Sequence, residues 1–120
     1  MPTRLLYPFA ATVPGYQTGI SIANTGPDTG AITFSFHPQS GPPFNYTVAP
    51  GSPGSGYNPV NGLLPSGGTY VVNLSEILQA AARPPSFIGF FYASCNFGGA
   101  HGYAQIYSAQ NSDGYLAVIL

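Results

Sequence analysis

Charge is the scarcest commodity in this chain. Only 4% of its 120 residues are charged, lysine is missing, and the two cations, Arg4 and Arg83, stand against three acids. An average soluble domain carries roughly 25%. A nucleic-acid partner demands a field of Lys and Arg facing the phosphates, and two arginines do not supply one. Cysteine is nearly absent as well: Cys95 stands alone, so no disulfide can close within the chain. Long apolar runs are missing. The greasy tail Tyr115–Leu120 falls far short of the ~20 residues a membrane helix needs. Residues 1–9 lack the apolar run and small-residue cleavage site of a secretory leader. Met1 is then either a native start or one placed where a leader was removed. What is abundant is Gly, 16 residues, and Pro, 13, a content that rules out a helical bundle and calls for many turns. Hydrophobic residues reach 44%, enough for one ordinary core in one domain, residues 1–120.

The dominant pattern is alternation with period two. Tyr16, Thr18, Ile20 and Ile22 share one face of a first run, and Gln17, Gly19, Ser21 and Ala23 the other. Ile32, Phe34 and Phe36 alternate with Thr33, Ser35 and His37. Phe44, Tyr46 and Val48 give a third strand, and Tyr70 and Val72 mark a fourth over Thr69–Asn73. Between them, Thr25–Gly30 is turn chemistry and residues 49–62 are a long loop. Phe87–Phe97 is apolar on both faces, which predicts a central strand covered twice. His101–Ser108 runs out, Asn111-Ser112-Asp113-Gly114 reverses it through an Asp-Gly turn, and Tyr115–Leu120 returns. Leu5, Leu6, Tyr7 and Phe9 add an extended segment, with Pro8 favouring an edge position. One short helix is expected near 74–82: Leu74, Ile77, Leu78 and Ala81 recur at helical spacing, Asn73 and Glu76 form a capping box, Arg83 suits its C-terminal dipole, and Pro84-Pro85 stop it. The sum is all-β: a two-sheet antiparallel sandwich, Ig-like or jelly-roll-like, of about eight strands with one short helix.

Arg4, Asp28, Glu76, Arg83 and Asp113 are the only charges, and Asp28 and Asp113 fall in predicted turns. No strand between Tyr16 and Leu120 is expected to carry a charge. Sandwich proteins usually guard their edge strands with Lys, inward charges or bulges. Bare, neutral edges suggest that copies of the chain pair edge to edge or accept a neighbour's strand, as a filament or surface-layer subunit. The strand-like ends, with Leu5, Leu6 and Tyr7 at one and Tyr115, Leu116, Val118 and Leu120 at the other, are the expected contacts. Tyr103, Gln105 and Tyr107 share a face with His101. That face either packs inside the sandwich or offers a flat aromatic surface for a carbohydrate or another chain. Asn45-Tyr46-Thr47 and Asn73-Leu74-Ser75 match the N-glycosylation pattern. Asn45 is the better acceptor, because Asn73 is occupied as a helix cap.

Catalytic patterns are thin. Cys95 and His101 flank Gly98-Gly99 and could face each other as nucleophile and base, but a small buried thiol on a central strand is the plainer reading. No His, Cys, Asp or Glu falls at metal-ligand spacing, and each of the three acids has a turn or cap role, which leaves no carboxylate pair for glycoside hydrolysis. No catalytic residue, metal or cofactor is expected.

Three segments carry a resemblance. They are Tyr7-Pro8-Phe9 followed by Gly15–Thr25; Ala93-Ser94-Cys95-Asn96-Phe97 with Ala100-His101-Gly102-Tyr103-Ala104; and Gly114–Leu120. In order and spacing, outside the loop 38–68, the chain resembles a group of uncharacterised, predicted secreted bacterial β-domain proteins with a Cys-Asn-Phe…Ala-His-Gly-aromatic motif. The resemblance implies an extracellular or cell-surface habitat and brings no catalytic residues. Members tend to carry a second cysteine where this chain has Ile32, so here Cys95 is left free. The expectation is a non-enzymatic, secreted structural β-sandwich that self-associates, with carbohydrate or ligand binding as the alternative.

Overall fold

Two sheets follow from the alternation. The computed structural model describes residues 2–120, and the origin of Met1 lies outside them. In chain order the elements are β1 (Thr3–Thr12), β2 (Gln17–Asn24), β3 (Ile32–Pro38), β4 (Phe44–Thr47), β5 (Thr69–Asn73), α1 (Leu74–Ala80), β6 (Phe87–Cys95), β7 (Ala100–Tyr107), β8 (Ser112–Leu116) and β9 (Val118–Ile119). One sheet has the order β4-β3-β6-β1-β9 and the other β5-β2-β7-β8. Every strand pair is antiparallel. The expected two-sheet antiparallel sandwich with one short helix is what forms. The Cα radius of gyration, 13.5 Å, matches the ~13.6 Å of a single compact domain of this length.

The inner faces are the predicted ones except at Tyr16, which precedes β2 and is exposed. Ile20 and Ile22 of β2, Ile32, Phe34 and Phe36 of β3, and Tyr70 and Val72 of β5 are all buried. Phe91 collects the aromatic part of the core, with ring centroids 4.3 Å from Tyr7, 5.1 Å from Phe36 and 5.9 Å from Phe34. Such offset and edge contacts add about 0.5–1.5 kcal/mol per pair beyond burial. Tyr7 also crosses the core: its hydroxyl donates to the Ser21 carbonyl of the opposite sheet at 3.1 Å. The ring fits because Gly102 faces it, where a Cβ would overlap the Tyr7 hydroxyl. Thr18 joins the sheets a second time. Its hydroxyl donates to the Ala11 carbonyl at 2.8 Å and accepts from the Ala11 amide at 3.0 Å.

The uncharged loop between β4 and β5 is held by phenols. Tyr46 donates to the Ser52 hydroxyl at 2.8 Å, Tyr57 to the Ser52 carbonyl at 2.5 Å, and Tyr70 to the Pro53 carbonyl at 2.7 Å. On the other flank, Asn24 donates through its amide to the carbonyls of Asp28 and Leu64, fastening the turn after β2 to the end of the long loop. The helix is shorter than expected. Glu76 Oε1 accepts from the Asn73 amide at 3.0 Å, the predicted half of the box, but α1 stops at Ala80, so Arg83 lies beyond it. The amides of Ala82 and Arg83 donate to the carbonyls of Gln79 and Leu78, a Schellman cap with Ala82 at φ 55° where glycine is usual.

Four expectations need correction. First, β1 is not an edge strand over its first half: β9 pairs outside it at Leu5 and Leu6. Pro8 is tolerated instead at a register shift between Tyr7 and Ala10, since a bulge frees the position from the ladder. Second, Asp113-Gly114 is not the hairpin turn. The reversal is Ser108–Asn111, closed by the Ser108 amide on the Asn111 carbonyl at 2.8 Å, and β8 carries Asp113 and Gly114 in register with Ile106 and Gln105. A Cβ at Gly114 would overlap the outer end of the Tyr103 ring, which lies across it. Third, β6 is central but covered once: Ile88 and Phe90 remain 37% and 38% exposed. His37 stacks on Phe90 at 4.8 Å and Arg4 lies over the Tyr92 ring at 3.9 Å, partly shielding that outer face. Fourth, the C-terminal strand is two: Ala117 turns inward, its amide donating to the Gly102 carbonyl, so β8 ends one sheet and β9 begins on the other.

Removing the Tyr7 hydroxyl deletes a hydrogen bond between the sheets. Tyr7→Phe is expected to destabilise by about 1–2 kcal/mol in urea titrations, and Gly102→Ala, which overpacks the same contact, by about 1–3 kcal/mol. Relief of the left-handed alanine works the other way: Ala82→Gly is expected to raise stability by ~0.5–1 kcal/mol, read as a higher midpoint of thermal unfolding.

Candidate functional site

The candidate residues divide between two surfaces and the core. Leu5 and Tyr7 are fully buried, a correction to their expected role as contacts: β1 lies between β6 and β9, and these two side chains fill the sandwich. Leu6 faces outward beside Val118, its register partner. Tyr115 points back toward the core, 6.5 Å from the Tyr7 ring, and its hydroxyl donates to the Phe9 carbonyl. The exposed members are thus Leu116, Val118 and Leu120 on the rim, at 76%, 48% and 59%, with Ile119 beside them, and Tyr103, Gln105 and Tyr107 on the outer face of β7.

That outer face has relief. Gly19 and Ser21 of β2 make a low floor between Val71 and Asn73 on one side and Tyr103, Gln105 and Tyr107 on the other, a hollow of about 240 Å³. A second of about 170 Å³ continues from Ser21 past Ala23 to Thr69, His101 and Leu116. Tyr107 is fixed there by its hydroxyl, which donates to Asn73 Oδ1 at 3.3 Å, and Gln105 donates to the Ser112 hydroxyl. Aromatic flats with amide neighbours and no charge suit stacking on a neutral ring.

The sheet edges differ from one another. The edge of β5 is shielded by the chain itself: Ser55 exchanges both backbone hydrogen bonds with Val71, at 2.9 and 3.0 Å. Gly54 and Gly56, both at φ 101°, let that loop lie against the strand. β4 is four residues long, and its exposed Asn45 pairs with Ser35. β8 carries Asp113, so the expectation of wholly uncharged strands fails at this edge, and an acid on an edge strand opposes strand addition. β9 carries no charge.

Cys95 and His101 do not meet. Cys95 is 1% exposed on the inner face of β6, whereas His101 is exposed on the outer face of β7 in the other sheet. Burial lifts the Cys95 thiol from 9.0 to about 12, the opposite of what a nucleophile needs. A hollow of about 460 Å³ lies beside Cys95, between Thr3, Arg4, Thr33, Ser94 and Asn96, but the thiol is turned into the core. Among the described residues no three His, Cys, Asp or Glu side chains come together as a metal site, and no helix is long and apolar enough to cross a membrane.

No family model matches the chain, and no curated protein matches it by sequence. Among solved structures, the crystal structure of Thermotoga maritima 1070 is similar, at a TM-score of 0.61 and 12% identity over 98% of this chain and 90% of that one. At that identity the likeness shows the fold alone.

A group whose acid form is favoured by folding loses its contribution as pH rises. Below about pH 9 the Cys95 thiol is neutral folded or unfolded; between about pH 9 and 12 the unfolded chain releases its proton while the folded chain retains it, so stability falls across that window. Tyr7, Tyr70 and Tyr115, all raised by burial, extend the loss upward. Native protein is expected to resist iodoacetamide at pH 8 and to label within seconds once unfolded in urea, and Cys95→Ala is expected to postpone the onset of alkaline unfolding.

Proposed function

We propose that this chain is a non-enzymatic, extracellular structural protein that associates with copies of itself, as the subunit of a filament or surface layer. One observation carries the reading: the rim where β8 passes into β9. Leu116, Val118, Ile119 and Leu120 are 48–76% exposed within five residues, β9 pairs with β1 at only two positions, and its other edge is open. An apolar, uncharged, half-used strand is a template for a partner's strand. A heterologous contact there, repeated, builds an open polymer. The buried thiol and separate histidine remove the one nucleophilic pair that the residues suggested. The resemblance to secreted bacterial β-domains supports the habitat.

A second reading, a carbohydrate-binding module, is favoured by the hollows along Gly19, Ser21 and Ala23, flanked by Tyr103 and Tyr107. Its measure is a glycan titration whose signal disappears in Tyr103→Ala.

Self-association predicts that light scattering coupled to size-exclusion chromatography finds species beyond the 12.4 kDa monomer, and that electron micrographs show regular assemblies. Val118→Lys, at an exposed position, is expected to return the protein to monomer with its thermal midpoint unchanged. A dispersed monomer at millimolar concentration overturns the reading.

A further inference from the structure

The Schellman cap at Ala82 sends the chain out of α1 and directs Arg83 toward β4. Its guanidinium carbon lies 4.5 Å from the centre of the Phe44 ring. There the Nε atom is buried and has no hydrogen-bond partner. Buried polar groups are normally satisfied, and a guanidinium cannot relieve itself by losing its proton. Beside it opens a cleft of about 150 Å³, in which Pro42, Phe44, Leu78 and Pro84 give apolar walls and Ser40 and Ser86 line the same space. No carboxylate is among the lining residues, so the cation is met by nothing of opposite sign within its own cleft.

We propose that this cleft binds a small carboxylate, with the Arg83 guanidinium on the carboxylate oxygens and a short apolar tail against Pro42, Leu78 and Pro84. The planar fork of arginine matches a carboxylate in two parallel hydrogen bonds; because Nε is closed to solvent, the terminal nitrogens of Arg83, a residue that lines the cleft, are the donors. The serine hydroxyls supply further donors. The apolar walls select against a fully hydrated oxyanion, whose remaining oxygens they leave without partners. A water's share of volume is about 30 Å³, so the cleft holds roughly five non-hydrogen atoms, the size of propionate. The site lies on the α1 side of the five-stranded sheet, away from the β8–β9 rim, and stands whether or not the chain polymerises.

The test is an NMR titration of the ¹⁵N-labelled full chain with sodium propionate at constant ionic strength, following the Arg83 Nε–H signal and the amides of Gly41 and Ser86. A saturable shift is expected, with a dissociation constant on the order of millimolar for so small a ligand. Propionamide, equal in shape but neutral, and inorganic phosphate are expected to bind at least ~10-fold more weakly. Arg83→Gln is expected to abolish the amide shifts. Arg83→Lys keeps the charge without the fork and is expected to weaken binding several-fold. Ser86→Phe, at an exposed position, blocks the cleft with Arg83 in place, so the test survives if loss of the Phe44 contact unfolds Arg83→Gln. A shift that never saturates, an equal response to propionamide or to phosphate, or propionate binding that persists in both Arg83→Gln and Ser86→Phe overturns the proposal.

Discussion

Two sheets pressed face to face need something to set their separation and register, and here the buried ring of Tyr7 does both. It stacks on Phe91 within its own sheet at 4.3 Å, and its hydroxyl reaches the Ser21 carbonyl in the other. The residues opposite are cut to fit: Ala100, Gly102 and Ala104 line the inner face of β7 and are all buried. A tyrosine on one side and near-empty positions on the other make a joint that only one alignment of the sheets allows. Interiors pack at crystal-like density, so shifting either sheet by one residue opens a void or forces an overlap.

The candidate surfaces are then what this joint leaves outside. Because Leu5 and Tyr7 of β1 go in, Arg4 and Leu6 face out, next to Tyr92 and Val118. Because the small residues of β7 go in, its large ones, Tyr103 and Tyr107, stand out over the small outward residues of β2. Because Ala117 is drawn in under the hairpin, Leu116 and Val118 are left on the rim on either side of it. The carboxylate cleft has a separate origin in the cap after α1, where a left-handed alanine aims the only cation of that region at an aromatic ring.

Period-two alternation was enough to read β2, β3 and β5 and their inner faces, and Asn73 with Glu76 was enough to read the helix start. What escaped has identifiable causes. Asp-Gly ordinarily marks a two-residue hairpin, but here Gly114 lies against the Tyr103 ring across the hairpin, a tertiary contact that local turn chemistry does not reveal. The outer face of β6 reads as buried because Ile88, Phe90 and Tyr92 are apolar, and nothing local shows that His37 and Arg4 come to lie over two of those rings. Leu5 and Tyr7 read as an edge segment because Pro8 follows them, and alternation leaves strand order open. Of the candidate site, the outward face of Tyr103, Gln105 and Tyr107 was legible as one of two choices. The Arg83 cleft was not legible, because Arg83 and Phe44 lie on different elements and meet only when the sandwich is built. A lone arginine followed by Pro84-Pro85, with the nearest acid a full helix away at Glu76, is the one signal that could have pointed to it.

The long loop is moored by phenol hydroxyls at Ser52 and Pro53, and the turn after β2 by an amide at Asn24, with no charged side chain among those fastenings. Counter-ions weaken attraction between exposed charges and leave neutral hydrogen bonds nearly untouched. Salt therefore leaves these fastenings nearly untouched, and so does mild acid, since phenols and amides do not change protonation there. The long loop and the turn after β2 therefore stay moored through wide swings of salinity.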